Sequence, residues 1–400
     1  MLKSSLLRRE SFGGTLFNAA SGRRIYITEG EFGWIATKQS VPKYLQSEVG
    51  ADTDDVMIRI PTDLPAGNFS CADTVFFEIT RVCNIKCTFC FNNSGPNHRL
   101  ANELSDDRRL AVVGNLITSG VQEIRLTGGE PLILGDLTYK IIEMINCSGL
   151  RSSIGTNGIL VKPSVADKLA KAGLHSAVVS VDGMEDAHDS IRGQGSWKKT
   201  LDGISELKRV GVPVRVNAVV MKSNIEEVVR VVQCFSDIDV PVMIRRLIPA
   251  GRADNMSNEM LTQGEYNALR LRLEPLTSDP TKKVRGHYIK SDKVEPRIRL
   301  PFERQACSAG HRGMVVLPDG NVQTCGFLGP LGEPSVGDVS TEKFSDIWHR
   351  LVDSEHIESM RSLLPGYNAT TVGPKTNCLA IALAANYGDT HPLKFVRRLE

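Results

Sequence analysis

Val75-Phe76-Phe77-Glu78-Ile79-Thr80 runs directly into Arg81-Val82-Cys83-Asn84-Ile85-Lys86-Cys87-Thr88-Phe89-Cys90. Apart from Glu78, the first six residues are β-branched or aromatic and predict a strand. Behind it, three thiols share one short loop, with gaps of three and two residues. Soft ligands gathered this way point to metal ligation. A four-iron cluster bound there keeps one iron without a protein ligand, and an open iron can bind substrate or cofactor. Zinc or unrelated thiols are the alternatives, but zinc requires a fourth ligand, and the nearest histidine, His98, lies eight residues beyond Cys90.

From Val75 onward, short β-branched or aromatic runs alternate with longer segments of helical period. Strands are expected near Val75 to Thr80, Glu123 to Thr127, Arg151 to Thr156, Ala177 to Asp182, Val214 to Val220 and Val242 to Leu247. Helices fill the gaps at Asp106 to Ser119, Leu137 to Asn146, Pro163 to Ala172, Lys198 to Val210 and Asn224 to Phe235. Six consecutive βα units predict an α/β fold built on a partial (β/α)6 TIM-like barrel rather than a closed eight-stranded one. Thr127, Thr156 and Asp182 fall at strand ends, where such folds place their chemistry.

The chain has 400 residues, too many for one compact domain of usual size. Its 48 Lys and Arg against 46 Asp and Glu offer no electrostatic reason for nucleic-acid or membrane-surface binding. The longest apolar run, Cys378 to Ala385, is too short to span a bilayer, and no signal-peptide pattern opens the chain. A cytoplasmic location follows as the expectation. The nine cysteines, at 71, 83, 87, 90, 147, 234, 307, 325 and 378, are then not expected to form disulfides. Cys71, Cys147 and Cys234 read as ordinary thiols.

The first sixty residues have a different rhythm, with strands at Thr15 to Asn18 and Arg23 to Thr28 around Ser21-Gly22, then helices at Gly30 to Lys38 and Pro42 to Glu48. Pro42 suits a first helical position. Ile60 to Gly67, rich in turn formers, is the candidate linker. Near the other end, Pro318-Asp319-Gly320-Asn321 predicts a hairpin turn between Met314 to Leu317 and Val322 to Cys325, followed by a helix from Thr341 to Val352.

The C-x3-C-x2-C loop, with aromatic Phe89 before its last cysteine, resembles the radical S-adenosylmethionine (SAM) superfamily. Further matches follow in family order: Gly128-Gly129-Glu130-Pro131, Thr156-Asn157-Gly158 and Ser180-Val181-Asp182-Gly183. The resemblance covers roughly residues 73 to 250. It implies that Cys83, Cys87 and Cys90 hold a four-iron, four-sulfide cluster and that SAM chelates the open iron. It also implies reductive cleavage of SAM to a 5′-deoxyadenosyl radical that abstracts hydrogen from an unactivated carbon.

In the family the Gly-Gly-Glu-Pro segment contacts the methionyl amine of SAM; a plain strand-to-helix turn is the alternative reading. Ser180 and Asp182 are expected at a ribose or carboxylate, or as an N-cap of the next helix. Arg192, in His188-Asp189-Ser190-Ile191-Arg192-Gly193, resembles the arginine that holds the SAM carboxylate, against a surface salt bridge. Phe89, Pro131, Asn157 and Asn217 complete the expected cofactor contacts.

Cys307, twelve residues, Gly320, four residues and Cys325 resemble the opening of the SPASM extension, whose hairpin carries auxiliary-cluster ligands. Only Cys378 follows, so one auxiliary cluster held by Cys307, Cys325 and Cys378 is expected within a truncated α+β domain; ordinary buried thiols are the alternative. Arg8 to Asn18 with Arg23 to Thr28 resembles the start of PqqD-like winged-helix modules, which bind leader peptides of ribosomally made peptides. A strand edge there would capture a leader, with Arg23 and Arg24 available to acidic residues, unless the module is a structural cap.

The implied domains are 1–62 (PqqD-like), 73–260 (barrel), 261–305 (connecting) and 306–400 (auxiliary cluster). The expected function is a peptide-modifying radical SAM oxidoreductase that forms a crosslink, epimer or oxidised residue on a precursor peptide. Its expected partners are that peptide and a reductant such as ferredoxin or flavodoxin. A small-molecule substrate and a non-catalytic iron-sulfur protein are the alternatives.

Overall fold

The computed structural model describes residues 5–49, 56–59, 69–277, 309–310 and 312–352. The linker expected at 60–67, together with Cys307 and Cys378, lies outside the described residues.

The chain opens on β1 (Ser5–Glu10) and β2 (Gly13–Asn18), paired antiparallel, and returns as β3 (Arg24–Ile27) beside β2. Thr28 then caps α1 (Glu29–Lys38): its hydroxyl accepts from the Glu31 N–H, while the Glu31 carboxylate accepts from the Thr28 N–H. In α2 (Lys43–Val49), Pro42 stands just before the helix instead of on its first residue, and its carbonyl accepts from the Leu45 and Gln46 N–H groups. The segment β4 (Val56–Arg59) pairs parallel with β1, giving the order β3-β2-β1-β4 over Leu7, Leu16, Ile27, Phe32 and Ile35.

The barrel follows as β5 (Thr74–Glu78), α3 (Asp106–Thr118), β6 (Glu123–Thr127), α4 (Asp136–Cys147), β7 (Arg151–Thr156), α5 (Pro163–Lys171) and β8 (Ser176–Ser180). A short α6 (Glu185–Arg192) precedes α7 (Ser196–Arg209), β9 (Val214–Val220), α8 (Ile225–Asp237), β10 (Val242–Arg246) and α9 (Gln263–Thr277). The strands β5 to β10 are all parallel and lie in chain order, as successive right-handed βα crossovers require. Their helix-facing side chains, among them Phe77, Leu126, Ile154, Val179, Ala218 and Ile244, form one buried core. Phe76, Arg125, Gly155, Val178 and Asn217 alternate onto the other, half-buried face.

The C-terminal hairpin continues this sheet. β11 (Gly313–Val316) pairs parallel with β5, and β12 (Asn321–Gln323) and β13 (Gly337–Asp338) add to it antiparallel, making nine strands in the order β10-β9-β8-β7-β6-β5-β11-β12-β13. Between β11 and β12, Gly320 adopts φ +96°, so the expected turn does form. The last helix, α10 (Phe344–Val352), starts later than expected, because the Thr341 and Glu342 N–H groups turn back to the Asp338 carbonyl. Among the described residues, no helix is long and apolar enough to cross a membrane.

Three segments meet at Asp73, just before β5. Its buried carboxylate accepts from Arg8 of β1 at 2.7 Å and from Arg312 at 3.0 Å, with Arg24 of β3 at 3.6 Å. Arg24 also donates to Gln122, so it faces the barrel; the expectation that it meets an acidic peptide is corrected, and of the pair only Arg23 lies exposed. Around this junction Phe12 meets Tyr26 and Phe69 edge-on, those two rings tilt against each other, and the Trp348 indole N–H donates to the Phe69 carbonyl.

Burial alone would raise the Asp73 pKa, but the three guanidiniums overcome it and hold the carboxyl below the ordinary Asp range. Its contribution to stability is therefore present above the unfolded pKa of about 4 and is lost as pH falls through the folded value. Asp73→Asn should cost about 3–5 kcal/mol in urea unfolding at neutral pH, as a broken buried ion pair does. The gap to wild type should narrow below about pH 4. A loss under about 1 kcal/mol, as for a surface pair, would contradict this role.

Candidate functional site

The loop after β5 carries the cysteine triplet, and the fold pins it from several sides. The Cys83 N–H donates to the Gly95 carbonyl at 3.1 Å, and the Thr88 N–H to Ile191 at the end of α6 at 3.0 Å. Cys83 and Cys87 are buried and Cys90 is half-buried. Polar donors face the sulfurs: the Asn157 amide lies 3.8 Å from Cys83 Sγ and an Arg192 Nη 3.7 Å from Cys87 Sγ. Burial pushes the Cys83 thiol up to about 12 and also raises Cys87, against the opposing charge of Arg192. Buried thiols become thiolates here only with a cation to hold them, and the donors aimed at them fit thiolate sulfur. Among the described residues, no three His, Cys, Asp or Glu side chains form a group able to hold a metal ion. In a cluster site each cysteine ligates a separate iron, a wider arrangement than one ion needs.

The carboxyl ends of β6 to β9 surround this loop. Gly128 has φ +133°, and a Cβ on Gly129 would meet the Val82 carbonyl oxygen at 2.1 Å, so the glycine pair permits backbone contact with the strand-to-cysteine turn. Pro131 opens a short 3-10 turn, Pro131–Leu134. Glu130 is fully buried and braces two strand ends. Its oxygens accept from the Thr156 hydroxyl at 2.9 Å, the Asn157 N–H at 2.8 Å and the Leu132 N–H at 3.2 Å. Burial lifts its pKa to about 7 against the pull of those hydrogen bonds. The Asn157 amide also donates to Asn84 Oδ1 at 2.8 Å, tying the end of β7 to the cysteine loop.

Asp182 does not cap the next helix, which begins after Met184. Its carboxylate accepts from Arg192 Nε at 2.5 Å and from the Val219 N–H at 2.8 Å, so it aims Arg192. Arg192 is buried, which excludes the surface salt bridge, and its guanidinium lies 5.9 Å from the Phe89 ring centroid. Phe89 packs with Ile191, Met221, Leu247 and Ala253 in a separate apolar cluster. Ser180 stands opposite Asn217 across β8 and β9, and the Asn217 side-chain oxygen accepts from Arg245 at 3.1 Å.

Sequence reasoning missed several braces. Asn224 donates to the Asp182 and Val219 carbonyls, Glu103 accepts from Thr80 and the Arg81 N–H, and Arg252 donates to the Cys87 carbonyl at 2.6 Å. Arg252 follows the last barrel strand, a position that could have drawn attention, but no spacing pattern marks it. On the other flank, Phe91 meets Phe327 edge-on at 4.8 Å, and Asn92 donates to buried Glu78 at 2.9 Å. This brings the cysteine loop against the segment just after Cys325. Cys325 is the one expected auxiliary ligand among the described residues.

Residues 77–235 match the radical SAM superfamily, and residues 307–365 match the SPASM iron-sulfur cluster-binding domain. The chain is 26% identical to an AdoMet-dependent heme synthase of Nitratidesulfovibrio vulgaris, across 76% of this chain and 84% of that protein. It is 26% identical to the sporulation killing factor maturation protein SkfB of Bacillus subtilis, across 66% of this chain and 63% of that protein. In fold it is similar to Streptococcus suis SuiB bound to S-adenosylmethionine, with a TM-score of 0.71, 16% identity and 97% coverage of both chains. SuiB bound to precursor peptide SuiA gives a TM-score of 0.66 at 15% identity, covering 86% of this chain and 87% of that one. The ordered glycine and cysteine motifs at the carboxyl edge of a parallel sheet and the paired domain matches agree: this chain is an enzyme of the radical SAM superfamily, using a four-iron cluster and SAM, with a SPASM iron-sulfur domain behind its barrel.

Proposed function

We propose that this enzyme is a maturase that modifies a ribosomally made precursor peptide, giving a crosslink, an epimer or an oxidised residue. The observation that carries the reading is the N-terminal sheet-and-helix unit. The likeness to SuiB takes in 97% of the chain, hence most of this unit, and SuiB has been seen with a precursor peptide. The relative SkfB is likewise named for peptide maturation. A leader would add to the sheet along β3, which forms one edge, near exposed Arg23.

In this reading Cys83, Cys87 and Cys90 hold the cluster. Phe89, Gly128, Gly129, Glu130, Pro131, Asn157, Ser180, Asp182, Arg192 and Asn217 form the SAM side of the site. The buried donors on the cysteine sulfurs support this fit. When bound, the cluster and SAM supply one-electron cleavage to a 5′-deoxyadenosyl radical. The chain's own residues orient and shield. Asp182 keeps the Arg192 cation facing Cys87, Glu130 holds the Thr156-Asn157 turn, and the apolar cluster around Phe89 excludes water from that flank. Cys325, with Cys307 and Cys378, would hold one auxiliary cluster. The reductant is an electron carrier of the ferredoxin or flavodoxin kind, and the setting is cytoplasmic.

A second reading keeps the radical chemistry but takes a small molecule, and the relative named heme synthase favours it. Co-expression with each short reading frame found beside the gene separates the two. The peptide reading expects one of those peptides to lose a pair of hydrogens, or to gain solvent deuterium at a backbone carbon on epimerisation, by mass spectrometry. Unmodified peptides, together with conversion of a tetrapyrrole by the same protein, would establish the second.

The ligand assignment carries its own expectation. Cys83→Ala, Cys87→Ala or Cys90→Ala should each reduce 5′-deoxyadenosine formation to the no-enzyme background under dithionite. Retained formation in any of them would refute that cysteine's role.

A further inference from the structure

We propose that Arg252 is a positioning residue that clasps the cysteine loop from across the open barrel and holds a positive charge against it. The inference rests on the reading of Cys83, Cys87 and Cys90 as cluster ligands. β10 is an edge strand, separated by four strands from β5, after which the cysteine loop leaves the sheet. No strand pairing joins the two. The segment after β10 nevertheless lies directly on the loop. The Arg252 N–H donates to the Cys90 carbonyl at 3.0 Å, its Nε to the Cys87 carbonyl at 2.6 Å and one Nη to the Asn93 side-chain oxygen at 3.1 Å. These three bonds span the loop from Cys87 to Asn93.

Gly251 makes the approach possible. It has φ +61°, and a Cβ there would stand 2.3 Å from the Phe91 carbonyl oxygen and 2.6 Å from that of Cys90. The contact is thus backbone on backbone, with the arginine fork locking it.

The fork also has a group to spare. Arg252 Nη2 is buried and has no hydrogen-bond partner among the described residues. A buried guanidinium N–H without an acceptor is costly, and an anionic group held by the loop would satisfy it. The Arg252 guanidinium lies on the Cys87 carbonyl, so its charge stands directly beside the loop that carries the three thiols. Two functions are therefore separable. The planar fork shapes the loop through its carbonyls, while the charge favours the reduced cluster, which carries one more negative charge. Lysine keeps the charge and loses the fork; methionine loses both.

The test uses the full chain reconstituted anaerobically as wild type, Arg252→Met, Arg252→Lys and Cys87→Ala. It reads iron release to a chelator and the cluster midpoint potential by titration followed by electron paramagnetic resonance. Arg252→Met should lower the reduced-to-oxidised ratio at a fixed potential about tenfold, equivalent to about 59 mV for one electron. It should also release iron faster. Arg252→Lys should recover most of the ratio but release iron as fast as the methionine variant.

Wild-type potential and wild-type iron release in Arg252→Met overturn the inference, whatever the activity. If Arg252→Met assembles no cluster, Arg252→Lys decides: faster iron release supports the clasp, and a wild-type rate overturns it. Failure of the underlying reading looks different, since either the wild type then binds no four-iron cluster or Cys87→Ala keeps one.

Discussion

A single buried carboxylate, Asp73, sets the relation between the parts of this protein. Placing it and Arg8 out of water is costly, so the arrangement is stable only with each charge matched, and matching requires the N-terminal sheet, the barrel and the C-terminal hairpin to arrive together. Asp73 sits at the amino end of β5, and the cysteine loop leaves the carboxyl end. The strand therefore transmits one geometry to both: the unit proposed to read the peptide is oriented at one end, the chemistry at the other. β11 reinforces this by pairing with β5 along its length and bringing the Cys325 hairpin beside the same loop.

At the carboxyl edge, the polar residues singled out by motif mostly act on one another. Glu130 holds Thr156 and Asn157, Asp182 holds Arg192, and Asn157 and Arg192 in turn face cysteine sulfurs. Buried polar groups of this kind are stable only when paired, and pairing removes their freedom to rotate. What remains directed inward is a small set of donors around three thiols, a suitable setting for an anionic cluster whose reactivity depends on fixed partners.

Much of this was legible from the sequence because it is local. β6, β7 and β9 match their expected bounds, since β-branched runs between turn residues state their own limits. The glycine motifs were legible because only glycine permits their backbone. The rest depends on contacts far apart in the chain. β1 was not foreseen because Arg8, Arg9 and Glu10 break the apolar alternation that marks a strand, and only Asp73 and the fold around it make Arg8 a buried residue. Arg24 was assigned to a peptide for the same reason. Asp182 allows a cap as well as a cofactor contact until Arg192, ten residues on, is placed against it, and Arg252 acquires its role only when the segment after β10 reaches the cysteine loop.

The central claim is that this loop holds one iron-sulfur cluster and the SPASM region a second. Iron and sulfide analysis of the anaerobically reconstituted wild type and of a variant with Cys83, Cys87 and Cys90 all changed to alanine tests it most directly. About eight irons falling to about four is the result this account predicts for two four-iron clusters. About four falling to none would leave the C-terminal cysteines without a cluster, and an unchanged count in the variant would remove the cluster from the barrel loop altogether.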